Sequence, residues 1–180
     1  MASPIWTAML EKHRAVLLAF DAERTPPSTA TMPLPSPMES GDLPRGVYQA
    51  TVAEIVERFG RSSRSSEWRR VLALRLERIY RIAASTGHLE RFVVFGSFVS
   101  AKPDPNGVDV FMIMADEFVS GNLAGEAGLL FHHTVARAHF GCGVFWIRQV
   151  AAMDGEQAAI EDWQIQRDGS RRGVVDVTGE

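Results

Sequence analysis

Apolar residues recur at three- and four-residue steps in several stretches of the chain, the spacing that places side chains on one face of a helix. Short runs that are apolar throughout predict strands buried on both faces of a sheet. The predicted helices cover residues 5–20, 51–59, 65–87, 124–140 and 157–163, and the predicted strands cover residues 92–95, 108–114, 143–150 and 173–177.

The ends of these helices carry recognisable signals. Thr51 and Glu54 have the spacing of a capping box, and Gly60 ends the helix that they open. A serine at position 65 or 66 is expected to cap the longest helix, which Gly87 stops. The mixed order of elements predicts an α/β (α+β) domain, with helices flanking a small mixed sheet.

The organisation along the chain has three parts. Residues 1–24 form a predicted N-terminal helical extension, and residues 25–44 are a proline-rich linker in which regular structure is not expected. Residues 45–180 are the predicted main domain. The first helix is expected to dock on that domain, with pairing to a second copy or binding to another protein as the alternatives.

Composition narrows the class of protein. Hydrophobic residues make up 46% of the 180 residues and charged residues 23%, which predicts one folded core. The formal net charge of -3 gives no general attraction to nucleic acid, so nucleic-acid binding is left open. Neither a membrane-spanning run nor a secretory signal is visible, which favours a cytoplasmic protein without membrane contact.

Several reactive side chains have ordinary explanations. Cys142, the single cysteine, has apolar neighbours and is expected to be an inert core thiol. His132 and His133 are adjacent, and on a helix they point about 100° apart, which disfavours a shared zinc ion. The arginines of the 65–87 helix are expected to form a solvated face, with nucleic-acid binding as the minority alternative.

One stretch carries a motif. Phe95-Gly96-Ser97 is followed by nine residues and then by Gly107-Val108-Asp109-Val110. This resembles the nucleotidyltransferase superfamily, whose pattern is hydrophobic-Gly-Ser, a spacer, and then Asp-hydrophobic-Asp-hydrophobic. The spacing agrees, but Gly107 stands where the first aspartate is expected.

The sequence segments in and around this motif extend the resemblance to an uncharacterised bacterial family of small nucleotidyltransferase-like proteins. It covers roughly residues 32–177 and leads us to expect aspartate at position 107. The segments that carry this resemblance are LPRGVYQATVAEIVERFG, GSFVSAKPDPNGVDVF and RDGSRRGVVDV.

The resemblance implies a chemistry for these residues. Nucleotidyl transfer uses two Mg²⁺ ions, held by carboxylates two residues apart on one strand. Asp109 is therefore the expected metal ligand and catalytic residue, while Gly107 cannot coordinate metal. A third carboxylate is expected from a later strand, and Asp154 and Asp176 qualify by position only, with a solvent-facing acid favoured for each. The expected nucleotide-binding residues are Gly96, Ser97, Ser100 and Lys102.

Two classes of function follow from the acidic pair of the motif, in which Asp109 is present and Gly107 replaces the other aspartate. The favoured hypothesis is a degenerate member that binds a nucleotide, a protein partner or both, for example as one component of a toxin–antitoxin pair. The alternative is an active Mg²⁺-dependent transferase that moves a nucleotide from a nucleoside triphosphate to a protein or RNA acceptor. A third hypothesis treats Gly107 as a local substitution in a competent protein, and a homodimer through the N-terminal helix is conceivable.

Overall fold

The computed structural model describes residues 34–62, 65–166 and 168–179. The predicted N-terminal helix and residues 25–33 of the predicted linker lie outside the described residues. Within them the predicted mixed α/β architecture is confirmed, as a five-stranded mixed sheet flanked by helices. Residues 34–44 contain no helix or strand, yet Leu43 is buried in the core, so this part of the linker packs on the domain.

The sheet has the strand order β1-β5-β2-β3-β4. Its central strand β2 runs antiparallel to both neighbours, whereas the outer pairs β1/β5 and β3/β4 are parallel. Strand β1 was not predicted, because its four residues are too few to show a period. The strands are β1 (Val47–Ala50), β2 (Leu89–Phe95), β3 (Val108–Met114), β4 (Cys142–Arg148) and β5 (Val174–Val177).

The helices follow the predicted pattern with one correction. The single helix predicted over residues 124–140 is two helices, because the Phe131 carbonyl leaves the helical ladder and accepts a hydrogen bond from Trp146 Nε1 at 3.0 Å. None of the described helices is long and apolar enough to cross a membrane. The helices are α1 (Val52–Ile55), continued by a π-helical turn (Val56–Gly60), α2 (Glu67–Ser85), α3 (Gly125–Leu130), α4 (His133–Phe140) and α5 (Glu156–Glu161).

The predicted helix starts are confirmed. The Thr51 side chain accepts from the backbone N–H of Glu54, and the Glu54 carboxylate accepts from the backbone N–H of Thr51 at 2.7 Å. Ser66 caps α2 by accepting from the backbone N–H of Arg69. These caps satisfy amide donors that have no partner inside the helix.

The two faces of the sheet are covered unequally, and both are buried, which explains the continuous apolar runs of the strands. The α2 face carries the larger core, in which Leu72 and Leu76 of α2 pack on strand residues such as Val110. The opposite side, the α5 face, carries a smaller cluster built on Phe111 and covered by Ile160 and Trp163. The candidate site lies where the α5 face meets the loop between β2 and β3.

Candidate functional site

The Gly-Ser turn ends the central strand. Strand β2 stops at Phe95, Gly96 adopts a φ of +84°, and Ser97–Val99 form a short 3₁₀ turn. A φ in that range strongly favours glycine, so the backbone itself requires Gly96. The turn opens the Gly-Ser loop, which we define as residues 96–107 and which leads directly into β3.

Asp109 lies beside this turn. It is opposite Phe95 on β2 and level with Gly143 on β4. A Cβ at Gly96 would come within 2.6 Å of Asp109 Oδ2, and a Cβ at Gly143 would overlap Oδ1. The carboxylate therefore lies between two glycines that leave room for it. Gly143 had not been identified, because its importance depends on the register between β3 and β4.

Ser97 and Lys102 are brought together by a residue that sequence reasoning missed. The Ser97 hydroxyl oxygen accepts from the backbone N–H of Asn106 at 3.0 Å, and Lys102 Nζ donates to Asn106 Oδ1 at 2.9 Å. Asn106 thus places a hydroxyl and an ammonium group, both able to donate to an anion, at one turn of the Gly-Ser loop. Only the repeated turn-forming residues of the loop could have drawn attention to it.

Ser100 has a different position from Ser97. Its buried hydroxyl donates to the Ser97 carbonyl at 2.7 Å and accepts from the backbone N–H of Lys102 at 3.2 Å. Both bonds lie within the Gly-Ser loop, so they give Ser100 a role in the shape of the loop. Direct nucleotide contact by Ser100 stays a prediction.

Arg69 is the main support of the loop, and the prediction that it lies on a solvated face is wrong. Its side chain is only 6% exposed, and it donates to the carbonyls of Ser100 at 2.7 Å and Phe98 at 3.0 Å. Two more bonds reach the carbonyl of Lys102, and another reaches that of Phe59. A planar guanidinium can satisfy several carbonyls that would otherwise be buried without partners, which is why arginine serves here.

The charge of Arg69 is held in an unfavourable environment. Burial lowers the pKa of Arg69, and the nearby Asp104 carboxylate opposes that shift. Two neighbours at the start of α2 complete the support, since Trp68 Nε1 donates to the Pro105 carbonyl at 2.8 Å and the capping Ser66 Oγ donates to the Pro103 carbonyl at 3.4 Å. The first turn of α2 therefore fixes the Gly-Ser loop along most of its length.

Gly107 is not required by the fold. Its φ lies outside the left-handed region, and a Cβ there would meet only the Gly141 carbonyl oxygen, at the ordinary contact distance of 3.5 Å. Aspartate could therefore occupy this position without a clash at its first side-chain atom. The missing carboxylate is a chemical difference from the motif and not a steric necessity.

Asp176, one of the two positional candidates for a third carboxylate, is not solvent-facing, so that expectation is corrected. It is 3% exposed and forms an ion pair with Arg91, whose Nη2 lies 2.6 Å from Asp176 Oδ2. Although burial opposes the charge of Arg91, its contacts with Asp176 and Glu156 raise its pKa. Asp154 is exposed, as expected.

The acids in the part of the chain that the structure describes do not fit a two-metal cluster. Magnesium requires several hard oxygen ligands around one point. No group of three or more histidine, cysteine, aspartate or glutamate side chains in the described residues could hold a metal ion. On the α5 face, Asp109 lacks an acidic neighbour at position 107 and Asp176 is bound to Arg91. We therefore derive no catalytic step through magnesium.

The thiol near the site is not a nucleophile. Cys142 is 1% exposed, and burial raises its pKa to about 12, opposed by the charge of Arg75 and reinforced by that of Asp109. The thiolate population at neutral pH is therefore negligible. His133 Nδ1 lies 3.0 Å from the Val144 carbonyl oxygen of the sheet edge, which gives this histidine a local hydrogen-bonding role.

Comparison with known proteins identifies a family and leaves its activity open. A family model matches residues 35–178, and its description is "Family of unknown function (DUF6932)". This match covers most of the chain, so the chain belongs to that family. Neither the curated proteins nor the solved structures contain a match to it.

Proposed function

With membership of that family as the premise, we propose that this protein is nucleotidyltransferase-like and binds a nucleoside triphosphate at the Gly-Ser loop without the two-metal transfer reaction. The observation that carries the proposal is the arrangement of Gly96, Ser97 and Lys102 beside Asp109, with Gly107 in place of the first acid. The proposed protein therefore binds a nucleotide but does not transfer it to an acceptor. We also propose that the protein acts in the cytoplasm, as expected from the sequence.

The donors of the loop suit a phosphate group. The Ser97 hydroxyl accepts from Asn106 and keeps its proton for a further acceptor, while the Lys102 ammonium group is exposed and carries three donors. The missing side chain of Gly96 leaves room for the Asp109 carboxylate beside the turn. An anion at this turn would therefore meet the charge of Lys102 and the hydroxyl of Ser97, with the Asp109 carboxylate nearby.

Retention of Asp109 supports the alternative of a magnesium-dependent transferase, but a single carboxylate is a weak basis for it. The two-metal reaction stabilises the attacking and leaving oxygens together, and the loss of one bridging acid should cost the transition state several kcal/mol. Asp176 offers no replacement, because it is held by Arg91. Binding without transfer is therefore the function that the geometry supports better.

Titration of the full chain with ATP, GTP, CTP and UTP, each with magnesium and with EDTA, tests the proposal. We expect saturable binding of at least one nucleotide in EDTA and no transfer of radiolabel to candidate protein or RNA acceptors. If none of the four binds, the proposal fails. If the unmodified chain transfers label in a magnesium-dependent way, the transferase alternative replaces it.

A pair of matched variants tests whether the nucleotide binds at the Gly-Ser loop. Lys102→Gln removes the charge but keeps an amide donor, and it should weaken binding about tenfold through the loss of a charge-assisted hydrogen bond. Arg148→Gln removes an exposed cation at the far end of β4 and should leave affinity unchanged. Equal effects of the two substitutions would indicate nonspecific attraction of the nucleotide.

A further inference from the structure

Arg75 differs from Arg70 and Arg78, the two arginines of α2 that form ion pairs. Its guanidinium lies over the ring of Trp68, 5.1 Å from the ring centroid, and a Cβ on Gly141 would overlap its Nη1. The side chain is half-buried, and no carboxylate among the described residues forms an ion pair with it. By contrast, Arg70 pairs with Glu67, and Arg78 pairs with Glu126.

Two sets of contacts place Arg75 next to the candidate site. Trp68, on which Arg75 lies, donates to the Pro105 carbonyl of the Gly-Ser loop. Gly141, which Arg75 approaches, is also the residue that a side chain at position 107 would meet. The charge of Arg75 is therefore separated from the position of the missing acid by one residue.

Electrostatics agree with this placement. The Cys142 thiol, at the start of β4, experiences both the positive charge of Arg75 and the negative charge of Asp109. Asp109 and Arg75 therefore lie near the same end of the sheet. Asp109 is the acid of the motif that remains at this end, and Gly107 adds no second carboxylate near Arg75.

We propose that Arg75 is a binding residue for the triphosphate tail of a nucleotide held by the Gly-Ser loop. It supplies positive charge beside Gly141, the residue that a side chain at position 107 would meet, and Lys102 supplies it beside Asn106. This inference rests on the proposed function and adds to it a second cation, on α2, that binds the phosphate chain. The ligand is recognised through its phosphate chain, which an inorganic triphosphate shares.

A purely structural role for Arg75 makes a different prediction. Stacking on Trp68 and proximity to the C-terminal end of α4 would stabilise the fold, with little dependence on any anion. A phosphate-binding role instead changes affinity and its dependence on salt. Affinity measured beside thermal stability therefore separates the two roles.

The test titrates ATP and inorganic triphosphate in EDTA into the full chain and into three variants. Arg75→Gln should weaken ATP binding at least tenfold, and Arg75→Lys should retain most of it. Arg78→Gln, about one helical turn further on and paired with Glu126, is the control and should bind as the unmodified chain does. Unchanged affinity in Arg75→Gln overturns the role of Arg75 while the proposed function stands, whereas absence of ATP binding in the unmodified chain rejects both.

Comparison of the two ligands identifies what is recognised. Inorganic triphosphate that competes with ATP and shows the same sensitivity to Arg75→Gln supports recognition of the phosphate chain. Sensitivity confined to ATP would mean that Arg75 contacts the nucleoside, and it would overturn the assignment.

A measurement on the unmodified chain guards against variants that do not fold. Modification by an arginine-specific dicarbonyl reagent, read by peptide mass spectrometry, should be slowed at Arg75 by saturating ATP in EDTA. The rate at Arg78 should not change. Equal rates at Arg75 with and without bound ATP would overturn the proposal, because a residue in contact with phosphate must be protected.

Discussion

The two faces of one sheet carry different kinds of residue. On the α2 face the inward positions of the strands are apolar, and Leu72, Leu76 and Ile79 of α2 cover them completely. On the α5 face the same strands carry Asp109, Asp176 and Gly143 among a smaller set of apolar side chains. The first face stabilises the fold, and the second combines stability with polar groups that packing alone does not require.

The two aspartates of the α5 face differ in their burial and in their surroundings. Asp176 is almost fully buried and bound by Arg91, which links β5 to β2 and, through Glu156, to α5. Asp109 is only partly buried and lies between Gly96 and Gly143 at the end of the sheet. The comparison teaches that an acid on a strand can be a structural element, and that its surroundings distinguish it from a candidate binding residue.

The largest effect is expected on the α2 face. Leu72→Ala should lower the free energy of unfolding by about 4 kcal/mol, because Leu72 is fully buried and its loss leaves a cavity. Leu74→Ala is the control on the same helix, where the side chain is 59% exposed, and should cost less than about 1 kcal/mol. Urea unfolding measures both values, and similar costs would contradict the description of the α2 face.

The next effect concerns the buried ion pair. Asp176→Ala should cost about 3 kcal/mol, since it leaves the partly buried Arg91 with only Glu156 as a partner. Asp154→Ala removes an exposed acid and should change stability by no more than about 0.5 kcal/mol. Equal results from urea unfolding would mean that Asp176 is not a structural acid.

A smaller effect is expected beside Asp109. Gly143→Ala should cost about 2 kcal/mol, because the new methyl group overlaps Asp109 Oδ1. Combination with Asp109→Ala should recover about 1 kcal/mol of that cost by removal of the overlap. Gly121→Ala, where a methyl group meets open space, is the control and should be close to neutral. Additive costs in the double variant would contradict the arrangement of Asp109.

The smallest effect on stability, and the sharpest effect on chemistry, is expected at position 107. Gly107→Asp should change the free energy of unfolding by less than about 1 kcal/mol, since its Cβ has room. It should also make nucleotide binding respond to magnesium, because two carboxylates two residues apart can share a cation. Asp109→Asn in that background should remove the response, and persistence of the magnesium effect would show that Asp109 is not a ligand.

The sequence predicted elements whose signals are local. The capping box at Thr51, the serine cap of α2 and strand β3 all follow from spacing within a short segment, and the structure contains them. Strand β1 is too short to show a period, and the break between α3 and α4 depends on a hydrogen bond from Trp146, 15 residues away from Phe131 in the chain. Interactions at that range are not visible in local patterns.

In the candidate site, too, the residues with a local sequence signal were predicted and those that depend on long-range contacts were not. Gly96, Ser97 and Asp109 were found because they form a motif with fixed spacing. Arg69 and Gly143 were missed, because their roles depend on the contact of α2 with the loop and on the register of β3 with β4. An arginine on a helix gives no sequence signal that it will be buried against carbonyl groups.

The most direct test of the central claim is amide chemical-shift mapping of the full chain during titration with ATP in EDTA. The account predicts saturable shifts concentrated in residues 96–107, with effects on Asp109 and on the α2 residues around Arg75. A nucleotide that binds at this loop without metal must perturb these amides. The absence of saturable shifts, or shifts confined to regions away from the loop, would contradict the claim that this loop binds a nucleotide.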